Sequence, residues 1–170
     1  MQAVTTTYLE MTSPADLKPR HSTDDHFAVR EATVRQWQVN RFLYLYIGDS
    51  WGWTDKRSWS DERWQNYAGS PALRTFLAFH GGAIAGYYEL HKNAGEVEIA
   101  YFGLASEFIG RALGGPLLTN ALEQAWVWNA GRVWVHTCSL DHPAALRNYE
   151  ARGMKIYATS NENRPAPAII

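Results

Sequence analysis

Apolar and polar positions follow two periods along this chain, one of two residues and one of three to four. Val34, Trp37, Arg41, Leu45 and Gly48 fall three to four residues apart with Phe42 and Tyr46 beside them, which predicts a helix over Val34 to Ile47 that ends near Gly48. Before it, Val4 to Met11 is rich in Thr and Tyr and reads as a strand broken by Thr12, Ser13 and Pro14, whereas Leu17 to Thr33 is polar and weakly periodic. Ser60, followed by Asp61 and Glu62, has the chemistry of a helix N-cap, for a short helix that carries Trp64 and Tyr67 and closes at Gly69. Leu73 to Phe79 and Ile84 to His91 flank Gly81-Gly82, the pair that a tight hairpin needs. A second turn at Asn93 to Gly95 leads into Glu96 to Leu104, where Val97, Ile99 and Tyr101 alternate with the residues between them. A helix from about Ala112 to Trp128, a strand from Arg132 to Cys138, a helix after Pro143 ending at Arg152-Gly153, and a strand from Met154 to Thr159 complete the order. Ser160 to Ile170 reads as a loosely held tail.

This order predicts a mixed α/β fold. The strand ending at Leu104 and the one starting at Arg132 are joined through a helix, so they lie parallel, while the meander before them is antiparallel. The composition narrows the class without altering the order. With 46% apolar and 19% charged residues the chain is that of a globular fold, and 16 Lys and Arg against 17 Asp and Glu leave no basic block for nucleic acid or an anionic membrane. Neither is expected as a partner. Cys138 stands alone, Met1 to Met11 lacks the pattern of a secretory signal, and no run approaches the roughly 20 apolar residues that span a bilayer. A cytoplasmic setting is the expectation. Five of the eight tryptophans, Trp37, Trp51, Trp53, Trp59 and Trp64, crowd one short stretch.

The segment from Glu98 to Leu118 joins a strand to a helix through Gly110, Gly114 and Gly115. Small residues let successive amides turn toward one point, and Pro116, tolerated only in a first turn, sets the helix start just before it. A phosphate or pyrophosphate would fit at such a helix mouth, and a close-packed turn without ligand would read the same way.

Here the sequence resembles the GNAT superfamily of acetyl-CoA-dependent N-acetyltransferases. Their turn signature, Gln/Arg-x-x-Gly-x-Gly/Ala, falls on Ile109, Ala112 and Gly114, of which Gly114 alone keeps the signature residue. Downstream, Ala145, Tyr149, Gly153 and Met154 match the family's late helix, and the two features occur in family order. The resemblance implies a single N-acetyltransferase domain over 1–170, with a first strand and acceptor-side helices in 1–72, an acetyl-CoA-binding core in 73–159 and a tail in 160–170. It implies a mostly antiparallel sheet with a splayed parallel pair. Phe102, Gly103 and Leu104 would meet the pantetheine arm, and Ile109, Gly110, Arg111, Ala112, Leu113, Gly114 and Gly115 the pyrophosphate.

By the same resemblance Glu98 is the general base, Tyr149 the general acid at the thioester sulfur, and His136 a second base candidate, for direct transfer to a primary amine of a small molecule or peptide. Strand parity puts Glu98 on the face of Ala100, Phe102 and Leu104, unless a bulge shifts it. A structural glutamate paired with an arginine, and a tyrosine that merely packs, are the plainer readings of these two residues. His136, Cys138 and His142 lack an evident fourth ligand, so no metal is expected. Trp51, Trp53 and Trp59, with Tyr44, lie where the family varies its acceptor pocket and suggest an aromatic wall for an apolar or cationic acceptor, or simply a helix-on-sheet core. Degeneracy at Ile109 and Ala112 keeps open a sensor that binds acyl-CoA or an aromatic ligand without turnover. Only one convincing strand follows the late helix, which suggests a homodimer covering that edge.

Overall fold

The structure is a computed structural model that describes residues 2–164. Its strands are β1 (Gln2–Met11), β2 (Phe27–Glu31), β3 (Leu73–His80), β4 (Ala83–Asn93), β5 (Glu96–Leu104), β6 (Arg132–Cys138) and β7 (Lys155–Arg164). They form one sheet in the order β2-β3-β4-β5-β6-β1-β7, antiparallel except between β5 and β6. Helices α1 (Trp37–Gly48), α2 (Asp61–Gly69), α3 (Gly114–Val127) and α4 (Ala145–Ala151) cover it. Tyr87 and Tyr88 are successive in β4 and therefore point to opposite faces. Tyr88 reaches Asn120 of α3, whereas Gly103, paired with Tyr87, lies under Ile47 of α1, so α1 and α3 sit on opposite faces. Tyr149 of α4 packs on Phe102, the partner of Tyr88, which puts α4 with α3.

Local chemistry accounts for most of these elements. Gly81 and Gly82 both take positive φ and close the β3–β4 hairpin. Ser60 caps α2, its hydroxyl accepting from the Arg63 amide at 3.3 Å. Trp64 is buried, with Tyr44 edge-on at 5.6 Å, and ties α2 to α1. Gly153 has φ of +100°, and a Cβ there would fall 2.0 Å from the Asp16 carbonyl oxygen, so only glycine lets the chain after β1 cross the end of α4.

Three expectations change. The polar stretch before α1 contains β2, a half-exposed edge strand that pairs only with β3. The last strand does not stop at Thr159: β7 runs to Arg164 because its main chain pairs with β1 over its length, from Glu10↔Lys155 to Gln2↔Arg164. The expected tail thus begins later, and Pro165 to Ile170 lies outside the described residues. Among the described residues β7 is the one strand that follows α4, as expected, and it is longer than expected. Finally, α1 begins at Trp37 rather than Val34, where the Arg35 guanidinium instead donates to the Gly69 and Ser70 carbonyls.

The parallel pair is short. β5 and β6 are in register only at Glu96↔Arg132, Val97↔Val133 and Glu98↔Trp134, and they separate beyond Glu98. At the same level β5 bulges: Ile99 pairs with Leu90 and Tyr101 with Glu89, leaving Ala100 as the extra residue. The bulge reverses parity, so Glu98 shares a face with Tyr101 and Gly103, toward α1, and not with Phe102 and Leu104 as simple alternation predicts.

Candidate active site

The gap between β5 and β6 opens into a cleft of about 1170 Å³. One end is built from backbone. Gly110 and Ala112 take φ of +81° and +60°, turning the loop under the start of α3, whose first amides have no intrahelical acceptor. Ala112 holds this conformation against its own Cβ, at a cost of about 1 kcal/mol that glycine would avoid. Gly115 is hemmed in: a Cβ there would lie 2.5 Å from Arg152 and 2.8 Å from Arg20. Asn148 of α4 donates to the Gly114 carbonyl at 3.0 Å, which ties α4 to the start of α3, and the Arg20 amide donates to Thr119 at 2.9 Å, which moors Arg20 at the helix mouth.

These residues fit a nucleotide pyrophosphate. The Arg152 Nε is buried without a hydrogen-bond partner among the described residues. Burial, reinforced by the adjacent Arg20, pulls the Arg152 guanidinium below its ordinary pKa. An anion at the N-terminus of α3 would supply the missing acceptor and relieve the like-charge contact.

The middle of the cleft carries the titratable groups. Glu98 is partly buried, with 22% of its side chain exposed, and its Oε1 lies 3.7 Å from Nδ1 of His136 on β6. Burial pushes the Glu98 carboxyl above its ordinary value, and the charges of His136, His91 and Lys56 pull it part of the way back. Tyr149 faces the same cleft from α4, and burial, with a smaller contribution from Asp141, keeps its phenol protonated far past neutral pH. No hydrogen bond engages its hydroxyl among the described residues.

At the other end stands a side-chain cluster. The Lys56 ammonium donates to Asp55 at 3.0 Å and to the Tyr101 hydroxyl at 2.6 Å. It lies over the rings of Trp59 (4.7 Å), Tyr67 (5.0 Å) and Tyr101 (4.5 Å). Asp55 in turn accepts from Tyr44 at 2.9 Å and Tyr101 at 2.6 Å. Burial works against its charge, yet these donors hold the Asp55 carboxyl below its ordinary pKa. Beneath them Glu89 is fully buried, accepting from Asn40 at 2.8 Å and from the Tyr67 hydroxyl, and burial raises its pKa.

Of the residues singled out from sequence, Phe102, Gly103, Leu104, Ile109, Gly110, Ala112, Leu113, Gly114 and Gly115 line this cleft, as do Glu98, His136, Tyr149, Trp51 and Trp53. Arg111 does not: its guanidinium turns onto the Phe108 ring at 5.0 Å. Tyr44 and Trp59 lie behind the wall and not on it, Tyr44 buried against Asp55 and Trp59 between Lys56 and Arg63. Cys138 is half-buried and opens onto the cleft. Sequence reasoning missed Lys56, Tyr101, Arg20 and Arg152. Arg152 had a signal, since it follows Tyr149 by three residues and so shares its helix face. Among the described residues no group of three or more His, Cys, Asp or Glu is gathered as a metal site, and no helix is long and apolar enough to cross a membrane.

The acetyltransferase (GNAT) family pattern matches residues 30–154 of the chain. The mycothiol acetyltransferase of Corynebacterium aurimucosum is 28% identical over 140 residues, which cover 75% of this chain and 44% of that protein. A GCN5-related N-acetyltransferase from Sphaerobacter thermophilus superimposes with a TM-score of 0.71 at 17% identity, covering 94% of this chain and 50% of that one. Another from Kribbella flavida does so with a TM-score of 0.65 at 20% identity, covering 91% and 55%. The chain thus spans about half the length of each of these three relatives.

Proposed function

The chain belongs to the acetyltransferase (GNAT) family, and from that premise we propose that it transfers an acetyl group from acetyl-CoA to a primary amine, with Glu98 as general base and Tyr149 as general acid. The observation that carries the reading is the cleft itself. A partly buried carboxylate with raised proton affinity and a protonated phenol face one cavity, and an anion-ready helix mouth stands at its end.

Acetyl-CoA, when bound, brings a thioester carbonyl and a thiol leaving group. The amides from Gly110 to Gly115, with Arg152 and Arg20, would hold its pyrophosphate, and β5 from Phe102 to Leu104, paired with β4 on one side and unpaired on the side from which β6 splays away, would line its pantetheine arm. Glu98 takes a proton from the acceptor ammonium on Oε1 or Oε2, directly or through water. His136, 3.7 Å away, stabilises the ionised carboxylate or passes the proton to solvent from its exposed ring. Tyr149 keeps its proton on Oη for the departing sulfur, and its burial is what holds that proton there. The low identity of the structural relatives supports the fold alone, so the nature of the acceptor rests on this chain's own residues.

Mixing the protein with acetyl-CoA and a broad panel of amines and following free thiol tests this. Amine-dependent thiol release is the expected result. Tight CoA binding with no release for any amine would instead mark an acyl-CoA sensor, the reading that the degenerate turn at Ile109 and Ala112 favours.

A further inference from the structure

The two walls of the cleft touch each other. Trp51 closes the short turn after α1, His142 lies in the turn that leads into α4, and those two helices sit on opposite faces of the sheet. Both side chains line the cleft, and their rings meet edge-on with centroids 5.2 Å apart. The pair therefore spans the cavity. The strands fix where: β5 ends at Leu104 and β6 at Cys138, and His142 follows Cys138 by four residues, so the bridge stands at the wide end of the gap. Glu98 marks the narrow end, where the strands are last in register, and the loop from Gly110 to Gly115 lies beyond Leu104.

The two members of the bridge are held differently. His142 is fixed, because its Nδ1 accepts from the Ala144 amide at 3.0 Å and its neighbour Asp141 accepts from the Thr137 hydroxyl at 2.7 Å and the Cys138 amide at 2.8 Å. Trp51 rides on a loop closed at its base, where the Trp53 amide donates to the Gly48 carbonyl at 3.3 Å and Arg57 joins Asp49 to the Trp53 carbonyl. Gly52, beside it, has φ of +68° with open space where a Cβ would lie. The tip can turn there while its base stays shut.

We infer that Trp51 and His142 form a strap that holds the donor's arm in the cleft. This rests on the reading of the cleft as an acetyl-CoA site. A chain that joins a pyrophosphate at the glycine loop to a thioester at Glu98 runs the gap from its wide end to its narrow end, and so passes the bridge. Closed, the two rings cover the arm and obstruct its exit; with Trp51 turned about Gly52, the wide end is clear. Trp51 is thus a positioning residue for the donor, a role that its place among the acceptor-side tryptophans conceals.

The test uses the full chain and CoA with no acceptor present, and follows CoA dissociation by stopped-flow displacement. Trp51→Ala is expected to release CoA at least about fivefold faster, the scale of one aromatic pair. His142→Asn keeps an acceptor for the Ala144 amide while removing the ring, and is expected to do the same. Combining the two should add little, because either change alone breaks the bridge. Trp51→Phe keeps a ring and is expected to stay within about twofold of the unmodified protein. The nucleotide half of CoA, 3′-phosphoadenosine 5′-diphosphate, has no arm to strap, so its affinity should be the same in every variant. Folded Trp51→Ala and His142→Asn proteins that release CoA at the original rate overturn the inference. So does an equal loss of CoA and nucleotide, or a double variant whose acceleration is the product of the two singles. Thiol release with acetyl-CoA and amines is read separately. Faster CoA loss in the variants without thiol release in the unmodified protein keeps the strap and removes the transfer reading; thiol release with unchanged CoA loss does the reverse, and a chain that binds no CoA removes both.

Discussion

The two ends of the cleft are made of different material. At the end proposed for the pyrophosphate the groups are main-chain amides that Gly110, Gly114 and Gly115 leave uncovered, with the Arg20 and Arg152 side chains beside them. At the acceptor end the groups are side chains from separate segments, Lys56 and Asp55 from the loop after α1, Tyr67 from α2, Tyr101 and Glu98 from β5. A backbone cradle tolerates sequence change as long as small residues remain, while a side-chain cage changes character with a single substitution. On the proposed function, such a division would keep the donor constant and leave the acceptor free to vary.

The sharpest way to break the comparison is at Glu98. Replacing it, Glu98→Gln, is expected to lower kcat/KM about 100-fold or more, the usual size of a general-base contribution, with CoA affinity unaffected. Because burial raises the Glu98 pKa, its basic form is lost as pH falls, so wild-type kcat/KM rises with pH through a value above the ordinary 4.5 of a glutamate. The variant should lose that acid limb, and a profile that keeps it would assign the base elsewhere. Tyr149→Phe comes next: kcat is expected to fall at least about tenfold at nearly unchanged acetyl-CoA affinity, measured by single-turnover kinetics and titration. Unchanged turnover would take Tyr149 out of the mechanism.

A third variant sharpens the division. Trp53 contacts Tyr101 at 4.9 Å and fills the space beside Gly48 and Gly103, so Trp53→Ala is expected to raise the acceptor KM and also to lower Tm. An acceptor KM unchanged for every active amine would remove the aromatic wall. The smallest effect belongs to the backbone end. Ala112→Gly relieves the +60° φ and is expected to raise stability by about 1 kcal/mol, a Tm gain of about 2–4 °C by calorimetry, with CoA bound at least as well. A loss of stability would show that the loop conformation is not strained at that residue.

The same division explains how much of the molecule is legible in its residues. Turns and helix starts imprint themselves as Gly, Pro and Ser, so Gly81-Gly82, Ser60 and Gly114-Gly115-Pro116 can be placed from residue type alone. Pairing between main chains leaves no such imprint. Hence β2, exposed at a sheet edge, and the last residues of β7 carry no sign of their strands. A bulge is likewise silent in composition, and the extra residue at Ala100 moves Glu98 to the opposite face from the one alternation gives. Lys56 shows the limit most plainly. In sequence it sits between Asp55 and Arg57 and resembles any solvated charge; only the convergence of Trp59, Tyr67 and Tyr101 buries it.

The position of β1 between β6 and β7 also bears on how the molecule is made. During synthesis the first strand emerges early, yet both of its hydrogen-bonding neighbours lie more than a hundred residues later, with pairs such as Thr6↔Cys138 and Val4↔Glu162. Such distant pairing folds slowly, and until it forms a Thr- and Tyr-rich strand has both edges bare. The β3–β4–β5 meander can assemble from local hairpins while the chain is still growing, but the half of the sheet that holds His136 and closes the cleft must wait for the last strand to arrive.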